Sequence, residues 1–216
     1  MPKKKSKAKS ASAAPASGLQ AILRAANGVH DVMTDFAAFS AFQRNGLDAA
    51  VASRHGTALS PAQRDRIVAL FELNMKAMYM DSDWGYDAAA KRQELFEEGA
   101  RYLLITQRST QESADEELLG FVHFRFLDDD GTPVLYVYEI QIAPPAQRKG
   151  LGKFLMQLLQ LVARRHRMEL VVLTVFKANA SALAFYLDKL KFEIDETSPS
   201  ACGDDSQSYE ILSKAV

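Results

Sequence analysis

Apolar residues recur along the chain at helical spacing as far as Gly99, at strand spacing from Arg101 to Ile142, and in alternating helical and strand runs after Gly150. Leu19 to Ala26 is Ala-rich with helical spacing and ends near Gly28, a suitable C-cap. Phe36, Phe39 and Phe42 recur every third residue and predict a short helix pinned to the core. Ser60-Pro61-Ala62-Gln63 supplies an N-cap, a first-turn proline and a capping-box glutamine. The helix it opens keeps Ile67, Leu70, Phe71, Met75 and Met78 on one stripe. Tyr79–Tyr86 reads as a polar-aromatic loop with the only tryptophan, Trp84, before a second helix over Asp87–Glu98.

Arg101–Gln107, Leu118–Phe126 and Val134–Ile142 are β-rich runs, divided by the acidic, turn-prone stretches Ser109–Glu117 and Asp128–Pro133. Such short links predict an antiparallel meander. Gly150 opens a helix over Lys153–Arg167, the apolar strand Glu169–Phe176 follows, and a helix runs from about Asn179 to Lys189. Two short strands, Phe192–Asp195 and Ser208–Leu212, close an α/β order without internal repeats. The pattern divides the chain into a disordered basic tail (1–17), an N-terminal helical extension (18–58) and a main domain (59–216).

Composition narrows the classes. The 216 residues are 48% hydrophobic and 25% charged, the balance of a globular domain with a buried core. No apolar run approaches the roughly 18–20 residues that span a bilayer. The first residues lack the apolar centre of a secretory signal, and Pro2 stands where myristoylation needs glycine. Cys202 is the only cysteine, which excludes an internal disulfide and a thiolate zinc cluster. Six basic residues and no acid precede Asp31, leaving 20 basic and 27 acidic residues after it. A basic tail on an acidic body argues against direct nucleic-acid reading. It suits a cationic partner, or ordinary solubility. The Lys3–Lys9 cluster reads as a nuclear-localisation patch or as a solvated tail.

The segment with most chemistry is Tyr136–Ile142 followed by Gln147-Arg148-Lys149-Gly150-Leu151-Gly152-Lys153. Two glycines between a strand and a helix let backbone approach a ligand. The helix N-terminus offers unpaired N–H groups and its positive dipole end to an anion. Arg148, Lys149 and Lys153 add charge suited to a pyrophosphate. The turn lacks the Lys-Ser/Thr ending of a P-loop and the third glycine of a dinucleotide fingerprint.

Gln147-x-x-Gly150-x-Gly152 after such a strand resembles the acetyl-CoA signature of the GCN5-related N-acetyltransferases, the GNAT superfamily. Asn179-x-x-Ala182-x-x-Phe185-Tyr186 resembles its C-terminal helix. Arg44-Asn45-Gly46-Leu47, Asn74-Met75-Lys76, Trp84-Gly85, His123-Phe124-Arg125-Phe126, Leu173–Lys177 and Ser208–Ser213 are similar to the NatD branch, the N-alpha-acetyltransferases of histone tails. The similarity covers most of Arg44 to Ser213.

The resemblance implies a GNAT fold: a mixed, mostly antiparallel sheet whose central strand pair splays, flanked by helices. It implies acetyl-CoA as cosubstrate without a metal, with Ile140, Gln141 and Ile142 offering backbone to the pantetheine arm. Arg148, Lys149, Gly150, Leu151, Gly152 and Lys153 would hold the pyrophosphate, and Asn179 would reach the cofactor across the gap. The implied reaction is acetylation of the N-terminal amine of histone four and histone two-A tails beginning Ser-Gly-Arg-Gly. The implied protein is a monomer of nucleus and cytoplasm that touches no membrane. Glu139, the carboxylate nearest the splay, is the candidate general base, with Tyr138 beside it. Strand alternation puts Glu139 with Leu135 and Val137 among apolar neighbours, unless a bulge re-aims it; a purely structural carboxylate is the other reading. Tyr186 occupies the superfamily's general-acid position, or is a core aromatic. Tyr79, Trp84, Tyr136, Tyr138, Thr174, Thr197 and Tyr209 match positions that shape the peptide site, or belong to the core. In the turn Leu127-Asp128-Asp129, Leu127 stands where the branch has an acid, so Asp128 would have to compensate beside Asp129 to meet the substrate arginine; a solvated acidic turn is the other reading. Rival functions are a GNAT enzyme acting on lysine side chains or a small amine, and a non-catalytic acyl-CoA-binding module.

Overall fold

The computed structural model describes residues 16–108 and 117–216. Most of the expected basic tail and of the Ser109–Glu117 link lies outside the described residues. The chain opens with α1 (Ala16–Asn27), whose Leu19, Leu23 and Ala26 are buried at helical spacing. Gly28 N–H donates to the Arg24 carbonyl and closes the helix. The buried Arg101 guanidinium then holds the carbonyls of Asn27 and Val29, tying this end to the sheet.

The segment 18–58 is not wholly helical as expected. After a 3-10 turn, Thr34–Phe39, come β1 (Ala41–Arg44) and β2 (Leu47–His55), so Phe42 stands on a strand. The signal was Asn45-Gly46, both at positive φ, between runs of alternating burial. An Asn-Gly pair so placed favours a two-residue hairpin because it matches the twist of the flanking strands.

Helix α2 (Pro61–Met80) starts at the expected capping box, Ser60 with Gln63. Helix α3 (Ala88–Leu95) is capped by Asp87, whose carboxylate accepts from the N–H groups of Ala89 and Ala90. The meander is β3 (Arg101–Gln107), β4 (Leu118–Asp129) and β5 (Thr132–Ile142). Helix α4 (Leu151–Arg165), β6 (Leu170–Phe176), α5 (Ala180–Ala184) with a π turn over Phe185–Lys189, β7 (Glu193–Ile194) and β8 (Tyr209–Ala215) complete the chain. The eight strands form one sheet in the order β1-β2-β3-β4-β5-β6-β8-β7. Among the described residues only β5 and β6 pair in parallel; the other pairs are antiparallel.

Each face buries its own core. Leu19 and Leu23 of α1 and Leu151, Leu155, Leu159 and Val162 of α4 pack with Phe124, Leu135 and Val137 on one face. Ile67, Leu70 and Phe71 of α2 and Leu95 of α3 pack with Tyr102, Leu104 and Phe121 on the other. Between the two lies the junction that positions the site. Val134–Val137 pair with Leu170–Leu173, but the ladder stops there, although β6 remains paired with β8 as far as Phe176. The ends of β5 and β6 therefore part.

Candidate active site

The parted strands border an open cavity of about 780 Å³, closed by α2, the start of α4 and the α5–π segment. One end of it is built by Gln147–Gly150. Gln147 Nε2 donates 2.9 Å to the Ile142 carbonyl, and Arg148 and Gly150 take φ of 60° and 89°. The first turn of α4 carries no acidic side chain, so nothing opposes an anion there.

Ile140, Gln141, Ile142, Arg148, Gly150, Gly152, Lys153 and Asn179 all line the cavity. Lys149 and Leu151 do not. The Leu151 side chain is buried in the core, so Leu151 can contribute only through its N–H, and the Lys149 carbonyl is taken by Asn45. The Ile142 carbonyl is already taken by Gln147 and by Asn74 Nδ2 at 3.1 Å, which removes it as an acceptor for a pantetheine arm. Asn179 uses its oxygen to cap α5 through Ala182 N–H and Ser181 Oγ, both 3.1 Å, so a cofactor contact rests with its NH₂ group.

Glu139 lines the same cavity, on the face opposite to that expected from plain alternation. His123 pairs with Glu139 but Phe124 pairs with Val137, so Tyr138 is an extra residue in β5. This bulge turns Glu139 away from Leu135 and Val137 and toward α2 and α3. Its neighbours are not the apolar ones the strand pattern implied. Lys91 Nζ lies 2.6 Å from Glu139 Oε1, and Gln141 Nε2 donates 2.8 Å to Oε2. Asn74 Nδ2 donates 3.0 Å to Gln141 Oε1, which orients that amide. The carboxylate is thus aimed from both sides and keeps unused lone pairs for a ligand.

Lys91 escaped the sequence reading. It is 6% exposed, and its ammonium also meets Glu94 at 2.7 Å and the Tyr79 hydroxyl at 3.1 Å. Burial alone would lower its pKa, but the Glu139 and Glu94 carboxylates and the hydrogen bond to Glu139 outweigh burial and hold it above the ordinary lysine value. The available signal was its spacing four residues before Leu95, on the apolar stripe of α3. Tyr79 is pushed well up by burial and then by the Glu139 charge, and so stays a neutral phenol. His123 is wholly buried between the rings of Tyr102 and Tyr138, with Nε2 accepting from Arg125 Nε. Burial, then Arg125 and Lys91, lower its pKa well below the usual value and keep it neutral.

Tyr186 sits on the π turn, buried at the cavity wall. Burial and the Glu139 charge hold its phenol proton firmly. Trp84, Tyr79 and Phe176 make an edge-to-face cluster with ring centres 4.8–5.9 Å apart, and Tyr209 joins it behind Trp84. Tyr138 and Thr174 also line the cavity, whereas Tyr136, Thr197, Tyr209, Leu127, Asp128 and Asp129 do not. Tyr136 is tied to the wall by its hydroxyl, 2.5 Å from Thr174 Oγ1. Thr197 N–H donates to the Asp195 carboxylate.

The acidic turn does not work as a pair. Leu127 packs against the Val134, Val172 and Ile211 cluster, and unbroken register beyond it puts Asp129 on that face and Asp128 on the other. Asp128 Oδ1 accepts 2.7 Å from Gly131 N–H and closes its own turn. It cannot replace an acid at Leu127.

A parallel strand pair parted over the N-terminus of a Gly-turned helix, with an oriented carboxylate at the fork, makes a slot suited to an anionic cofactor and a proton-accepting group beside it. Known proteins make this specific. The acetyltransferase (GNAT) family model matches residues 67–192, and the chain belongs to that family. Its members take acetyl from acetyl-CoA. Mycothiol acetyltransferase from Tsukamurella paurometabola is 35% identical over 116 residues, 52% of this chain and 39% of that protein's length. The chain therefore matches about two fifths of that relative. Among solved structures, PaiA N-acetyltransferase from Thermoplasma acidophilum in complex with coenzyme A superposes with a TM-score of 0.53 at 16% identity. The match covers 77% of this chain and 99% of that one. NAA60 from Arabidopsis thaliana, in complex with a bisubstrate analogue, gives 0.53 at 13% identity with the same shares. Both are likenesses of fold. Among the described residues no group of His, Cys, Asp or Glu is arranged to hold a metal, and no helix is long and apolar enough to cross a membrane.

Proposed function

We propose that this protein transfers acetyl from acetyl-CoA to the N-terminal α-amine of peptides, and that its acceptors are histone four and histone two-A tails beginning Ser-Gly-Arg-Gly. The observation that carries the amine chemistry is Glu139, oriented by Lys91 and Gln141 at the fork of β5 and β6. The choice of acceptor is supported by the NatD-like strings between Arg44 and Ser213 and by the aromatic wall of Tyr79, Trp84 and Tyr138 beside that fork. In this reading the chain is a monomer of nucleus and cytoplasm.

The amine nitrogen attacks the thioester carbonyl carbon, its proton passes to Glu139 directly or through a water, and the C–S bond breaks. Tyr186 donates its hydroxyl hydrogen toward the leaving sulfur. A peptide α-amine titrates near 7.7–8.0, so roughly a quarter is neutral near pH 7.4, against about 0.1% of lysine side chains. One carboxylate is enough for such an acceptor.

Mass spectrometry of a Ser-Gly-Arg-Gly-Lys peptide incubated with acetyl-CoA separates α-acetyl from ε-acetyl product. Acetylation at the α-amine is expected, and Glu139→Gln should cut kcat by about 10²-fold or more while acetyl-CoA affinity holds. A second reading, a small amine as acceptor, is favoured by the similarity to mycothiol acetyltransferase. Turnover on small amines without peptide product would select it.

A further inference from the structure

The β1–β2 hairpin lies on the opposite edge of the sheet from β6, yet its turn touches the phosphate loop. Asn45 Nδ2 donates 2.8 Å to the carbonyl of Lys149, 104 residues away. Phe42, 2% exposed, packs edge-on against Phe154 of α4 with ring centres 5.2 Å apart, which seats the hairpin on that helix. A Cβ at Gly150 would lie 3.7 Å from Asn45 Nδ2, so amide and loop are in van der Waals contact.

The geometry points to Asn45 as a positioning residue for the diphosphate of acetyl-CoA. This deepens the proposed function and rests on its placement of the diphosphate at residues 148–153. A trans peptide is planar, with its C=O and N–H directed oppositely. Holding the Lys149 carbonyl toward the hairpin therefore aims the Gly150 N–H the other way, on the side where Gly150 borders the cavity. The plane turns on ψ of Lys149 and φ of Gly150, and Gly150 has no Cβ to restrict it if nothing grips the carbonyl. Asn45 supplies the grip and touches no ligand itself. Its own φ of 52° in the Asn-Gly turn suits asparagine and glycine.

Asn45→Gly tests this because it keeps the turn and deletes only the amide. Calorimetry should show acetyl-CoA binding weakened about 3- to 10-fold, the scale of one hydrogen bond. Binding of S-acetyl-pantetheine, which lacks the diphosphate, should stay unchanged. In steady state KM for acetyl-CoA should rise with kcat preserved. Asn45→Asp sets an acceptor against the carbonyl at the same φ and should weaken acetyl-CoA at least as much. Unchanged acetyl-CoA affinity in both variants, or equal losses for both ligands, overturns the assignment. Wild-type protein that binds the two ligands equally would instead remove the diphosphate from residues 148–153, and the placement beneath the inference with it.

Discussion

A lysine ammonium buried against two carboxylates survives only in their company. Lys91 and Glu139 are 5% and 7% exposed at the side chain, so each is largely desolvated and depends on its partners. Lys91→Met leaves Glu139 without its cation, and the expected cost is about 3–5 kcal/mol in urea denaturation. Glu139→Gln in that background should recover part of the loss, because the two changes are coupled. A cost under about 1 kcal/mol would rank the pair with surface bridges. Glu139 itself was legible from its place after Tyr138 and before the Gly turn. Its partners were not, because Lys91 comes from α3 and no spacing within β5 announces it. The Asp128 expectation failed for a local reason: one residue of alternation separates it from the face where Leu127 and Asp129 sit.

At the level of elements, capped helices and the antiparallel meander were readable, and the exact register between strands was not. Ser60, Pro61 and Gln63 announced α2 because a cap is written within four residues. The β5 bulge is a mismatch of register with β4, so it exists only once both strands are aligned. Gly120 shows how tightly that alignment is held. A Cβ there would lie 2.7 Å from the Gln141 carbonyl oxygen, in backbone that cannot step aside cheaply. Gly120→Ala should therefore destabilise by about 1–3 kcal/mol and lower the melting temperature, and an unchanged melt would mean that β4 shifts without cost. Gly150 presents the opposite case, with room for a Cβ but a φ of 89° that L side chains rarely adopt. Gly150→Val should abolish acetyl-CoA binding in calorimetry while the fold persists.

Across the whole molecule, the α/β order of elements was legible from the alternation of periods and the helix-flanked sheet from the family resemblance, whereas the edge hairpin β1–β2 was misread. His123 couples the fold to acidity. Its folded pKa lies well below that of an exposed histidine, so the unfolded chain binds the extra proton first. The stability tied to neutral His123 is therefore complete above the unfolded value of about 6.5 and is lost as pH falls below it. The slope contributed by one such group is at most about 1.4 kcal/mol per pH unit. His123→Phe keeps a ring between Tyr102 and Tyr138 and should flatten the denaturation profile between about pH 6.5 and 5. His55 and His166, shifted in the same direction, leave a residual slope. A variant as acid-sensitive as wild type would place the sensitivity elsewhere.

Trp84 is the only tryptophan in the chain and stands on the cavity wall against Phe176 and Tyr209. All indole emission from this protein consequently originates at one point on the wall of the cavity. A peptide acceptor of the proposed kind, displacing water from that ring, should move the emission maximum toward the blue. Occupancy of the slot can then be followed optically, without label or turnover, in the same cuvette as the titration.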